Sequence, residues 1–63
     1  MDINRVKYNL GRQVSFDGVT YLFAGCIMRQ GEQGFYFQAE LKDSAAESAI
    51  VIADLKEVEE KHD

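Results

Sequence analysis

The sequence predicts an all-β fold: a three-stranded antiparallel meander, curled towards a small barrel, then a fourth strand and a short C-terminal helical turn. Three observations predict it. Residues 34–43, GFYFQAELKD, place Phe35, Phe37, Ala39 and Leu41 on one parity and Tyr36, Gln38, Glu40 and Lys42 on the other, the period of a strand with one buried face. A helix would mix Phe35, Gln38, Ala39 and Lys42 on one side, which is no core face. The segment SFDGVTY carries Asp17-Gly18 between apolar-alternating flanks, the pair preferred where both central residues of a type I′ hairpin need positive φ. Lastly, the hairpins on either side of the middle strand bury the same parity of it, and agreement between independent local signals is what a foldable sequence shows.

Taken in chain order, residues 1–10 fit two readings. Val6, Tyr8 and Leu10 continue the strand parity of Val14 and Phe16, whereas Asp2 as cap, Ile3, Val6 and Leu10 at helical spacing and Gly11 as terminator fit a short helix. The reading leans to extended structure with one helical turn. Strands follow near 12–16 and 19–29, pairing Phe16 with Val19 and Val14 with Tyr21. Gly25 interrupts the second strand, and glycine inside a strand marks a bend or bulge, as a sheet needs if it is to curl into a small barrel. A five-residue connection, QGEQG at 30–34, leads to the third strand at 35–43, with Arg29 pairing Phe35, Ile27 facing Phe37, Gly25 facing Ala39 and Phe23 facing Leu41. After the small polar loop DSAAES, the β-branched run Ile50–Ile52 gives a fourth strand at 49–53, apolar on both parities and so covered on both faces. Asp54 is placed to cap a last helical turn, with Leu55 and Val58 sealing the end of the core. Residues 59–63 read as a frayed tail. The expected core is Val14, Phe16, Val19, Tyr21, Phe23, Ile27, Phe37, Ala39 and Leu41, with Phe35 also on the inward parity.

At 63 residues the chain is one domain, near the lower limit for folding on a hydrophobic core alone. One cysteine, Cys26, rules out an internal disulfide, and a single histidine, His62, leaves no zinc ligand set, so no metal and no cofactor is expected. There is no apolar run of signal-peptide or membrane-spanning length, which with cysteine usage points to a reduced, cytoplasmic setting and no membrane. The net charge of −4 is uneven. Residues 1–39 carry Arg5, Lys7, Arg12 and Arg29 against Asp2, Asp17 and Glu32, while residues 40–63 carry eight acids against Lys42, Lys56 and Lys61. That acidic end reads as solvated surface, or as a face for a basic partner.

The compact opening formed by Gly11, Val14, Phe16, Asp17-Gly18 and Tyr21, within a meander of bent strands that runs to Val58, resembles the SH3-like small barrels of phage and mobile-element proteins. The resemblance rests on pattern rather than on a motif. It implies an accessory or interaction module, and fold alone confers no function.

Catalysis is not expected. Cys26 lies mid-strand, Ser15, Ser44 and Ser48 sit in turns or at strand edges without a base in reach, and Glu40 with Asp43 is a carboxylate pair without a cleft. The GEQG segment lacks the lysine and following helix of a phosphate-binding loop. As a lone strand cysteine, Cys26 reads as a small hydrophobe; a redox role would require a lowered pKa, with Lys42 as the nearby cation. Nucleic-acid binding is the alternative function: Arg5, Lys7, Arg12 and Arg29 with Tyr8, Tyr21 and Tyr36 supply cations and rings, but no basic cluster exceeds two residues in a short window. The favoured reading is protein interaction. The predicted register puts Leu22, Ala24, Cys26 and Met28 on the outer face of the second hairpin, with Met28 beside Tyr36 and Cys26 beside Gln38. Leu22, Met28, Tyr36 and Gln38 are thus the candidate contact residues for a protein partner or self-association, unless Ile3, Val6 and Leu10 or the C-terminal segment cover that face.

Overall fold

The structure, a computed structural model, describes residues 1–43 and 49–61. Its strands are β1 (Gln13–Phe16), β2 (Val19–Gly31), β3 (Gly34–Asp43), β4 (Ile50–Asp54) and β5 (Glu59–Glu60), forming one antiparallel sheet in the order β4-β3-β2-β1-β5. A 3-10 turn (Ile3–Arg5) and one short helix, α1 (Val6–Asn9), precede the sheet, and a second 3-10 turn (Leu55–Glu57) joins β4 to β5. The four expected strands are all present. The expected barrel does not close, because the chain leaves the sheet after Asp54 and returns beside β1, so β4 and β5 remain separate edges. No helix among the described residues is long and apolar enough to cross a membrane.

The first hairpin has the predicted register, Phe16↔Val19 and Val14↔Tyr21. Asp17 (φ 52°) and Gly18 (φ 76°) take the two left-handed positions that a type I′ turn requires. In the second hairpin the predicted register fails. Its turn is Glu32-Gln33 alone, closed by Gly31↔Gly34, so Phe35 lies opposite Gln30 rather than Arg29. Phe23↔Leu41 nevertheless forms as expected, because the ladder steps from that pair to Gly25↔Glu40 and leaves Ala24 as an extra residue in β2. The bulge takes up the one-residue difference, bends the strand and increases its twist. Beyond it every side chain of β2 changes side relative to the prediction: Cys26 and Met28 join Phe23 on the core side, and Ile27 moves to the outer side.

The chain ends also depart from expectation. Residues 3–9 are helical rather than extended: the Asp2 side chain accepts the Asn4 N–H (3.0 Å), its carbonyl accepts the Arg5 N–H (2.9 Å), and Val6 packs against the core. Glu59 and Glu60 are not frayed but pair with β1 as Ser15↔Glu59 and Val14↔Glu60. Two sets of bonds hold them there. The Glu60 carboxylate receives Arg5 Nε (3.0 Å) and Nδ2 of the buried Asn9 (2.7 Å), and Asn9 Nδ2 also donates to the Arg5 carbonyl (2.8 Å). The Met1 ammonium donates to the carbonyls of Leu55 (2.8 Å) and Val58 (2.6 Å). Asp54 precedes the second 3-10 turn as expected, but its side chain makes no capping bond. Residues 44–48 of the DSAAES loop, with Ser44 and Ser48, and the last two residues, with His62, lie outside the described residues.

Of the expected core, Val14, Phe23, Ala39 and Leu41 are fully buried, and Phe16, Tyr21 and Phe37 pack against them. Val19, at the turn, is half exposed. Ile27 sits on the outer side because of the bulge, and Phe35 lies past the end of the core. Ala53, Leu55 and Val58 complete the buried cluster, with Met1, Val6, Cys26 and Val51 around it. β4 is covered on one face only: Val51 and Ala53 face the core while Ile50 and Ile52 are exposed.

Two variants test this architecture. A Cβ at Gly18 would meet no atom within 4 Å, so Gly18→Val carries backbone strain alone. It should cost at least about 1 kcal/mol, lowering the Tm by roughly 4–8 °C in a domain of this size, and a wild-type melt would contradict the type I′ assignment. Asn9→Asp exchanges the donor that joins α1 to β5 for a carboxylate facing Glu60 and a carbonyl. A loss of about 1.5–3 kcal/mol is expected in denaturant unfolding at neutral pH, and an unchanged midpoint would mean that this link does not hold β5.

Candidate functional site

The longest hairpin outruns its neighbours. β1 accompanies β2 to Leu22, and the bonds Phe23 N–H to Arg12 O and Gly11 N–H to Phe23 O (both 2.9 Å) carry the contact one residue further. On the other side, β4 accompanies β3 only from Gln38 onward. Residues 25–31 and 34–37 therefore form a two-stranded arm with no third strand on either side among the described residues. In an antiparallel ladder, backbone groups alternate between the two neighbours. Since the Asp43 N–H points towards β4, bonding to Ala49 O at 3.2 Å, the groups of Phe35 face the side that β4 has vacated.

The side chains of the arm follow from the bulge. Met28 lies opposite Phe37 and Phe35 opposite Gln30 on the core side, where the core has already ended; Phe35 is 67% and Met28 60% exposed. On the outer side Tyr36 lies opposite Arg29, whose Nε donates to Gln38 Oε1 (2.7 Å), and Tyr36 is 42% exposed. A cleft of about 440 Å³ opens alongside, between Tyr36 and Phe37 of β3, Met1 and Ile3 of the N-terminal segment, and Leu55 and Lys56 of the second 3-10 turn. Of the four predicted contact residues, the structure puts Leu22, Tyr36 and Gln38 on the outer face. Met28 goes to the other face, so the predicted Met28–Tyr36 and Cys26–Gln38 pairs do not form, while Leu22 lies opposite Lys42. Leu22 stands in a row with Lys42 and Ile50, away from the arm. The proposed cover is not formed as expected: Val6 packs on the core, Ile3 borders the cleft, and Leu10 is exposed. Phe35, read from the sequence as inward-facing, is the most exposed of the large apolar side chains of the arm. Its parity was legible, but where the core ends along the strand was not.

Other candidate groups are dispersed. Cys26, a free thiol opposite Ala39, is half-buried, and burial pushes its pKa up; Lys42 projects from the opposite side of the sheet. Glu40 and Asp43, three apart on β3, point to opposite faces. No group of three or more His, Cys, Asp and Glu side chains is placed to hold a metal ion among the described residues. The cations and rings separate as well. Tyr21 packs beside Phe16 (centroids 6.4 Å apart) at the core, Arg29 and Tyr36 belong to the arm, and Arg5, Lys7, Tyr8 and Arg12 gather elsewhere with Lys61, a residue that no local window of sequence joined to them.

The thiol gives a measurable sign. Burial favours the neutral form, so at a given pH less thiolate is present than in an ordinary cysteine. Labelling of Cys26 by a thiolate-selective disulfide reagent at pH 8 should be slower in the native protein than in urea. The same raised pKa contributes stability below the ordinary thiol range and loses it as pH rises through the folded-state value. Native labelling faster than in urea would reverse the assignment. With the geometry in place, comparison with known proteins adds no relative: no family model, no curated protein and no solved structure matches the chain.

Proposed function

We propose that the protein is a non-catalytic protein-interaction module whose β2–β3 arm pairs with an extended segment of a partner protein. One observation carries this reading: an antiparallel arm with both edges open displays Phe35, Met28 and Tyr36 beside an apolar-walled cleft. Open strand edges are templates for pairing with another chain, and natural proteins blunt them with charge, proline or cover. Here the edge segments GCIMRQG and GFYF hold a single charge, Arg29, and no proline. Strand addition draws affinity from main-chain bonds and specificity from pockets for alternate side chains. The backbone of Phe35 and the adjoining cleft supply one of each. A tyrosine at the rim suits such contacts, since its ring buries area while its hydroxyl keeps a polar bond.

The proposal also reads the sheet as an open variant of an SH3-like barrel, supported by the β1–β2–β3 meander, by β4 after a loop, and by a 3-10 turn before a short last strand. A role as an accessory protein of a phage or mobile element is part of the proposal and rests on the resemblance of the Gly11–Tyr21 opening alone, whereas the cytoplasmic setting is proposed from the cysteine usage.

The test separates the two faces of the arm. Phe35→Ser with Met28→Ser removes the apolar side, and Tyr36→Ala removes the outer ring; all three side chains lie off the buried cluster, so circular dichroism melts should stay close to wild type. Each variant should weaken association at least tenfold, read by sedimentation for self-association and by nuclease-treated pull-down for a partner. Unchanged association in all variants would rule out the arm as the contact. Unfolding of the Tyr36 variant would instead mark that ring as structural.

A further inference from the structure

The acidic chain holds a basic basin. Arg5, Lys7, Arg12 and Lys61 border a depression of about 530 Å³ beside Tyr8, with Glu60 as the one carboxylate among the described residues that line it, so these side chains carry +3 on a chain of −4. The basin is assembled by tertiary structure. Arg12 is fixed by its N–H bond to Asn9 O and by the Phe23 N–H that its carbonyl accepts (both 2.9 Å). Lys61 follows directly after β5 and is steadied by its bond to Thr20 Oγ1 (2.6 Å).

The parts of the basin have different tasks. Glu60 engages Arg5 (Nη2 to Oε1 3.0 Å), and the Arg5 guanidinium lies 4.9 Å from the centre of the Tyr8 ring, holding it in place. The Lys7 ammonium lies 5.1 Å from the same ring. Lys7 and Arg12 reach no carboxylate among the described residues, and the Lys61 ammonium keeps two donors after its bond to Thr20. Tyr8 is 53% exposed, with the Arg5 and Lys7 cations over its ring, and it takes no part in the buried cluster. Uncompensated cations set around an exposed, oriented ring match a charged backbone that carries flat bases. We infer that this basin binds single-stranded nucleic acid, Lys7, Arg12 and Lys61 contacting successive phosphates and Tyr8 stacking on a base. The basin is built from other residues than the arm, and the inference stands or falls independently of the proposed protein partner.

Fluorescence anisotropy of a labelled twelve-residue oligothymidylate tests it, with heparin as a base-free polyanion. Three phosphate contacts should make the affinity fall roughly twentyfold between 50 and 200 mM salt. Lys7→Gln with Arg12→Gln should reduce affinity at least tenfold, with both ligands. Tyr8→Ala should weaken the oligonucleotide about tenfold and leave heparin binding unchanged, a difference that a merely structural tyrosine would not produce. Arg29→Gln, in the arm, should change neither. No binding by the wild type at 50 mM salt, or equal binding by the Lys7/Arg12 variant, would overturn the site. An equal effect of Tyr8→Ala on both ligands, or none on either, would overturn base stacking and leave a general polyanion surface. All three side chains are exposed, and circular dichroism melts check that the variants are folded.

Discussion

The extra residue at Ala24 decides how the rest of the sheet is arranged. β2 is thirteen residues long and must serve two partners, β1 along its first part and β3 from Tyr21 to its end. A regular strand would carry the parity of Tyr21 and Phe23 on to Gly25 and Ile27. With one residue left unpaired, Phe23 and Cys26 both face the core, and the pleat continues on the far side with its phase reversed. Glycine at position 25 is not needed for space, since a Cβ there would touch the Glu40 side chain at an ordinary 3.6 Å. What matters is the count of residues between Phe23 and Cys26, because that count sets which side chains the arm presents and to which side.

A second constraint closes the other end. The sheet alone would leave β1 as an edge strand of four residues, and the short β5 that covers it has only two. So small a strand holds its place through bonds that are not part of the ladder. Met1 binds the carbonyls on either side of the second 3-10 turn, and Asn9 and Arg5 converge on Glu60. These contacts join residues more than fifty positions apart, so their loop-closure entropy is met only once the meander has formed. The exposed Arg5–Glu60 ion pair contributes little by itself. The buried amide of Asn9, which would be left without partners if the strand detached, contributes more.

What could be read from the sequence follows the range of the interaction concerned. Asp17-Gly18 fixes its turn through two adjacent backbone conformations, and the alternation in GFYFQAELKD needs only neighbouring residues, so both were legible. Gly25 drew attention to the right place in β2, but no local feature states whether a strand bends there or gains a residue. The N-terminal segment satisfied two periodicities at once. The helix prevailed because Asp2 finds the N–H groups of the first turn and Val6 finds the core, and the second of these is a tertiary contact. The basin around Tyr8 escaped detection for the same reason: its cations are spaced at 5, 7, 12 and 61, and only the pairing of β1 with β5 brings the last to the others. The exposure of Phe35 depended on where β4 ends, which no alternation in β3 can encode.

The two-stranded arm also divides the molecule by its rate of opening. A hairpin with no third strand among the described residues is only marginally stable in water, whereas the body is held by the buried cluster. The amides that bond within the arm, those of Ile27, Arg29 and Tyr36, therefore exchange with solvent through local excursions of low free energy. Those of Phe23, Ala39 and Leu41 wait for the whole domain to unfold. The protein thus has one sequence and two protection regimes, and an added strand would move the first towards the second.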